Sequence, residues 1–287
     1  MRIPSRLCMG MFLAVLTTLT ASACQSPEVR GDKPEEPPRA FSETLLLADF
    51  DDLTPETFLD TDLFLSGELE ATPVLTGAGR LQVVAGAGGA GLALRYPDTA
   101  GIARGERAAL HVAPHGAERL APEEADFAFG ADVFYGELPT DTAADNGDNV
   151  LQRGLFADVG QFKLQLDQGR PGCRVAGTGG EVLVKAQDTL RSGTWYRLRC
   201  QRVEDTLSLF VAPLSGRAPL PGSEAEQNLD WLLWQRGGET GSVTVSDPPA
   251  TLSIGGKLNA QGGIVENSPD QFSGELDNVI IGLVTSP

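Results

Sequence analysis

The stretch DNVLQRGLFADVGQFKLQLDQGRPGCRVAGTGGEVLVKAQDTLRSGTWYRLRCQRVEDTLSLFV, residues 148–211, decides the fold. Short runs alternate apolar with polar residues, and turn-forming Gly and Asp separate them, the pattern of half-buried antiparallel strands. The runs are Asp148–Gly154, Gln161–Asp167, Arg170–Ala176 and Glu181–Lys185, then a hairpin, Tyr196–Val211, that turns at Glu204-Asp205. Trp195 opens the hairpin, and Leu198, Cys200, Leu207 and Leu209 alternate along it as core and cross-strand packing.

The same pattern extends outward. Asp126–Tyr135 (DFAFGADVFY) alternates Phe127, Phe129, Val133 and Tyr135; upstream, Thr44–Phe50, Arg80–Ala85, Gly91–Tyr96 and Ala108–Val112 read as strands. Downstream come Thr251–Gly255 and a long strand, Phe272–Leu283, whose alternation breaks near Asp277-Asn278, where a bulge fits. With 34 Gly and 19 Pro in 287 residues, a helical protein is excluded, because Gly costs backbone entropy and Pro breaks the helix ladder. The glycine run Gly86–Gly91 satisfies G-x-G-x-x-G after a strand. A dinucleotide site needs a helix next, however, and Pro97 cuts the following segment short, so the glycines serve a hairpin loop. His111 and His115 have zinc-helix spacing, but Pro114 between them argues against a helix.

Arg2 and Arg6 followed by the apolar Leu7–Leu19 form an export leader too short to span a membrane. It ends in Ala21-Ser22-Ala23-Cys24, similar to a bacterial lipobox with Ala in place of the usual Leu; Cys24 is then the lipidated residue, and residues 1–23 the leader. The alternative is a plain secretory signal. Gln25 after the Cys favours the outer membrane. Residues 24–40, rich in Pro and charge, read as a disordered tether, and its Arg30-Gly31-Asp32 as a chance tripeptide. Residues 41–287 form a single domain. Cys173 and Cys200 remain, to stay as buried thiols or, in an exported protein, to pair as a disulfide. The net charge of −17 excludes nucleic-acid partners and leaves the lipid anchor as the membrane contact.

Two segments interrupt the strands. The acidic loop Glu137–Gly147 offers Asp141 and Asp145 as hard oxygen ligands or as a solvated turn. Residues 213–249 read as an insertion carrying Trp231 and Trp234, three apart: one face of a helical turn, opposite faces of a strand. Exposed, the indoles make a stacking platform for a sugar ring or partner; buried, they are core, which the neighbouring leucines favour.

In order, Phe127–Tyr135, Asn149–Gly154 (NVLQRG), Gln161–Asp167 (QFKLQLD), Gly193-Thr194-Trp195-Tyr196, Arg197–Val211, Leu252–Gly255 (LSIG) and Phe272–Val279 (FSGELDNV) resemble a concanavalin A-like lectin/glucanase domain of the laminin G type. The resemblance spans Ala125 to Leu283 and implies an all-β fold, a jelly-roll sandwich of two antiparallel sheets, completed by the strands from Thr44 to Val112. It departs at Phe210-Val211, which runs into the insertion instead of a short turn. It also implies a calcium ion (Ca2+) held by Asp49 or Asp51 with Asp277. The fold hosts retaining glucanases too, whose E-x-D-x-(x)-E strand finds only Glu124-Ala125-Asp126 and Glu275-Leu276-Asp277, each lacking the third acid. With no G-x-S-x-G elbow either, the expectation is a non-catalytic envelope module that recognises glycan or a surface protein. The alternatives are a structural or adhesion lipoprotein without a small ligand, and a polysaccharide-degrading enzyme with an atypical site.

Overall fold

A computed structural model describes residues 31–66, 69–112, 120–136, 148–244, 251–266 and 270–285. The leader, Cys24, His115 and the loop bearing Asp141 and Asp145 lie outside these. In chain order the strands are β1 (Phe41–Ala48), β2 (Phe58–Leu59), β3 (Leu63–Leu65), β4 (Leu69–Thr76), β5 (Leu81–Ala85), β6 (Leu92–Arg95), β7 (Arg107–Val112), β8 (Phe127–Phe134) and β9 (Asp148–Arg153). They continue with β10 (Gln161–Asp167), β11 (Arg170–Gly177), β12 (Gly180–Lys185), β13 (Trp195–Val203), β14 (Thr206–Leu214), β15 (Leu232–Gly237), β16 (Leu252–Ile254) and β17 (Glu275–Val284). Two short helices, α1 (Thr99–Ala103) and α2 (Glu224–Gln227), sit in connections.

The strands form two antiparallel sheets packed face to face. Sheet A runs β15-β14-β13-β8-β17-β6-β5-β2, with β1 also on β17; sheet B runs β12-β11-β10-β9-β16-β7-β4-β3. Alternation explains the layering. In β10, Phe162, Leu164 and Leu166 are fully buried between the sheets while Lys163, Gln165 and Asp167 face outward. At the centre, Phe127, Phe129 and Phe162 meet with ring centroids 4.9–5.7 Å apart. Each buried side chain of this size contributes roughly 1.5–3 kcal/mol. Gly86–Gly91 is indeed a hairpin loop between β5 and β6, with Gly88, Gly89 and Gly91 at positive φ.

Cys173 on β11 and Cys200 on β13 form a disulfide with Cα atoms 5.8 Å apart. Since β11 belongs to sheet B and β13 to sheet A, the bond crosses between the layers.

Trp195 does not join Leu198 and Cys200. It faces the other side of sheet A, in a small cluster with Val84, Ala87, Ala93 and Leu214. The bulge in β17 lies where the alternation breaks: pairing with β8 slips between Asp277 and Ile280, and Asn278 takes φ 49°.

Two expectations change. The insertion is not all loop: Leu232–Gly237 pairs along β14 as the edge strand of sheet A. The tether does not extend to Ala40, because from Gly31 on the chain lies across the outer face of sheet A. A polar, proline-rich segment has no core of its own, but here it borrows one. The Asp32 N–H donates to the Leu233 carbonyl (3.2 Å) and the Leu233 N–H to that of Asp32 (2.9 Å). At the strap's far end the Arg39 N–H donates to Gln201 Oε1 (2.9 Å), and Arg39 Nη1 to the Thr285 carbonyl (3.0 Å).

Candidate functional site

Between this strap and the sheet lies a groove of about 1000 Å3. Its floor is one register row of sheet A: Gln201 on β13 faces Ser208 on β14, which faces Gln235 on β15. Gln235 Nε2 donates to Ser208 Oγ (3.0 Å), while Gln201 Oε1 accepts from the strap. Each amide thus spends one group internally, leaving Gln201 Nε2 and Gln235 Oε1 for a ligand. Phe210, Leu233 and Trp234 supply the apolar flank. Lys33, Arg39 and Arg236 are set against Glu35, Glu36 and Glu204, so the rim has no dominant charge. On the far side the groove meets β12, where Arg236 Nη1 donates to the Leu183 carbonyl (3.4 Å) and links the edges of the two sheets.

The two indoles do not form a stacking platform. Trp231 and Trp234 are only 2% and 8% exposed. They lie on opposite faces, as strand geometry requires. Trp234 belongs to the main core, whereas Trp231 packs on Phe210 and Ala212 and donates Nε1–H to the Glu226 carbonyl (3.2 Å). Trp234 reaches the groove only by its edge. Its Nε1 has no hydrogen-bond partner, and Gly31 of the strap lies flat on its ring, where a Cβ would come within 2.5 Å of Cζ2.

Beside the groove, a connection through α2 buries a charged cluster that sequence reading missed. Arg197 Nε and Nη2 both donate to Asp132 (2.7 Å each), and Arg199 Nη2 donates to Glu226 (2.5 Å). The Arg199 guanidinium also lies 4.3 Å over the Phe41 ring. Isolated Arg and Glu in an alternating strand carry no mark of such pairing; the one signal was that Arg197 and Arg199 share a face with Trp195.

Asp277 borders this cluster. Burial and the facing Asp132 push its pKa up to about 9, and Asp51 and Asp49 add to the shift. The chain ends therefore do bring Asp49 and Asp51 toward Asp277. The three do not converge on a cation, however. Asp51 Oδ1 accepts from the Leu92 N–H (2.7 Å), Asp49 Oδ1 from the Asp51 N–H (3.3 Å), and Asp277 from Asn278 (2.6 and 3.0 Å). Among the described residues no group of three His, Cys, Asp or Glu side chains is placed to hold a metal, so no role is derived for calcium. His111 is half-buried: Gly262 packs against its ring, burial lowers its pKa, and its Nε2 has no hydrogen-bond partner. The carboxylates nearest a glucanase signature are engaged as well, Glu275 Oε1 accepting from Arg95 Nε and Nη2 (2.9 and 2.7 Å).

No family model and no curated protein matches the sequence. Among solved structures, the binding domain of Paraclostridial Mosquitocidal Protein 1 superposes with a TM-score of 0.53 and 11% identity, over 85% of this chain and 49% of that one. The LG1-3 region of the laminin α2 chain matches with a TM-score of 0.39 and 10% identity, over 55% of this chain and 27% of that one. The fold, a sandwich of two antiparallel sheets, is shared with the mosquitocidal binding domain. Domain 4 of AbnA, a GH43 extracellular arabinanase from Geobacillus stearothermophilus solved with arabinotriose, gives a TM-score of 0.47 and 14% identity, over 86% of this chain and 95% of that one. The chain spans about half the length of the mosquitocidal domain and about a quarter of the laminin fragment. Among the described residues, no helix is long and apolar enough to cross a membrane.

Proposed function

We propose that the protein is a non-catalytic binding module, exported and lipid-anchored at Cys24, whose groove takes an extended glycan chain. The observation that carries this reading is the Gln201–Ser208–Gln235 floor beneath the strap, beside Phe210 and the edge of Trp234. Neutral amides and a hydroxyl suit the hydroxyls of a sugar, beside the half-buried Leu233 and the edges of Phe210 and Trp234. The balanced rim favours no charged polymer. The inter-sheet disulfide fits an oxidising compartment, and the strap leads back toward the lipid anchor.

The test is a glycan array probed with soluble protein lacking Cys24, beside Gln235→Trp. Residue 235 is exposed at the groove, so the indole fills it without disturbing the core. The wild type should retain one glycan class and the variant should lose at least 10-fold in affinity. A silent array together with a reproducible protein partner would replace this reading with the structural or adhesion one.

A further inference from the structure

The outer face of sheet B carries a feature the groove does not use. Registers across β9, β10, β11 and β12 place Gln152, Lys163, Arg174 and Leu183 side by side in one outward row. Lys163 and Arg174 are thus directly opposed, and like charges at directly opposed positions destabilise a sheet. Neighbouring charges are matched one to one: Arg174 with Glu181 (2.5 Å), Lys185 with Asp167 (2.6 Å) and Lys257 with Asp270 (2.8 Å). No described carboxylate pairs with Lys163. Three acids therefore face four cations, in a chain whose net charge is −17. Arg174 is only 8% exposed, yet its Nε and Nη1 have no hydrogen-bond partner. Above it the Phe156 ring, 78% exposed, lies 4.7 Å from the guanidinium carbon.

From this arrangement we infer a second binding site, for a sugar bearing a carboxylate or sulfate, with the anion against Lys163 and Arg174 and the ring against Phe156. The anion supplies the missing negative charge against the Lys163 ammonium, beside the buried Arg174 guanidinium whose Nε and Nη1 have no hydrogen-bond partner. The Phe156 face offers the apolar surface that a pyranose covers and a bare anion does not. Burial, with the surrounding cations Lys257, Arg174 and Lys185 and against a favourable Asp270, lowers the Lys163 pKa to about 8. Lys163, Arg174 and Phe156 lie outside the groove, which reaches only Leu183, Val184 and Lys185 of β12, and the site does not rest on the groove's reading.

The experiment titrates the soluble protein with oligogalacturonate and with sulfated dextran oligomers, against neutral dextran oligomers and oligoglutamate. At least one anionic sugar should bind, more weakly as salt rises. Lys163→Gln should lose at least 10-fold and Phe156→Ala several-fold, while Gln235→Trp retains binding. Lys163→Gln should melt no lower than the wild type, since it removes an unpaired cation. Unchanged affinity in Lys163→Gln, neutral dextran or oligoglutamate binding as tightly, loss in Gln235→Trp, or no anionic sugar bound at millimolar concentration would each overturn the inference.

Discussion

Asp277 and Asp132 are register partners on β17 and β8, so two acids stand directly opposite in a buried layer. Such a pair holds together when one member keeps its proton, and Asp277, pushed up to about 9, is that member. The sign follows from linkage. Between the unfolded value near 3.9 and the folded value, the native state holds a proton that the unfolded chain has released. Stability is therefore greatest below about pH 4 for this group, falls as pH rises, and levels off above about 9. Asp277→Asn does not titrate there. Its unfolding free energy should gain on the wild type's between pH 5 and 8, by at most about 1.4 kcal/mol per pH unit, as read from urea melts across that range. A constant offset across that range would show that residue 277 is ionised in the fold. The bulge at Asn278 was legible from one break in alternation. The acid pair was not, because Asp132 lies far along the chain and meets Asp277 only once β8 and β17 align.

The strap and β15 hide each other in the sequence for one physical reason. A strand with one face in water alternates, but Leu232-Leu233 and the flanking indoles do not, because the strap covers part of the outer face as well. The strap in turn reads as disorder, since its own residues bury little; its order comes from Trp234, Leu233 and Gln201. The groove between them was therefore invisible to any reading of one segment at a time. Gly31→Val tests the coupling. A β-branched side chain cannot occupy the space filled by the Trp234 ring, so the strap should lift. Tryptophan emission should then shift to the red and protease cut between residues 31 and 39, with the domain still folded. A spectrum and cleavage pattern matching the wild type would mean that the strap is not held there.

For the whole sandwich, the strands from β7 to β14, and β16 and β17, were legible because alternation and turn residues agree there, whereas β15 was hidden in the insertion. The disulfide pairing followed from cysteine arithmetic, but its position across the two layers did not, since sequence does not assign strands to sheets. Cross-linking across a 27-residue separation stabilises by about 3–4 kcal/mol in the chain-entropy view. Cys173→Ala/Cys200→Ala should therefore unfold at distinctly lower urea concentration, and reductant should shift the wild type but not the double variant. An unchanged midpoint would show that packing alone holds the layers. The strap's attachment also has a mechanical meaning. Tension applied at the N-terminal end reaches the Asp32–Leu233 contact first, and two backbone hydrogen bonds at a sheet edge peel like the teeth of a zipper. Only afterwards does the load come to β1, laid along β17 over most of its length. A domain held by the proposed lipid at Cys24 would release the groove's wall well before its core, making the strap a fuse that couples pulling on that lipid to loss of the proposed grip on glycan.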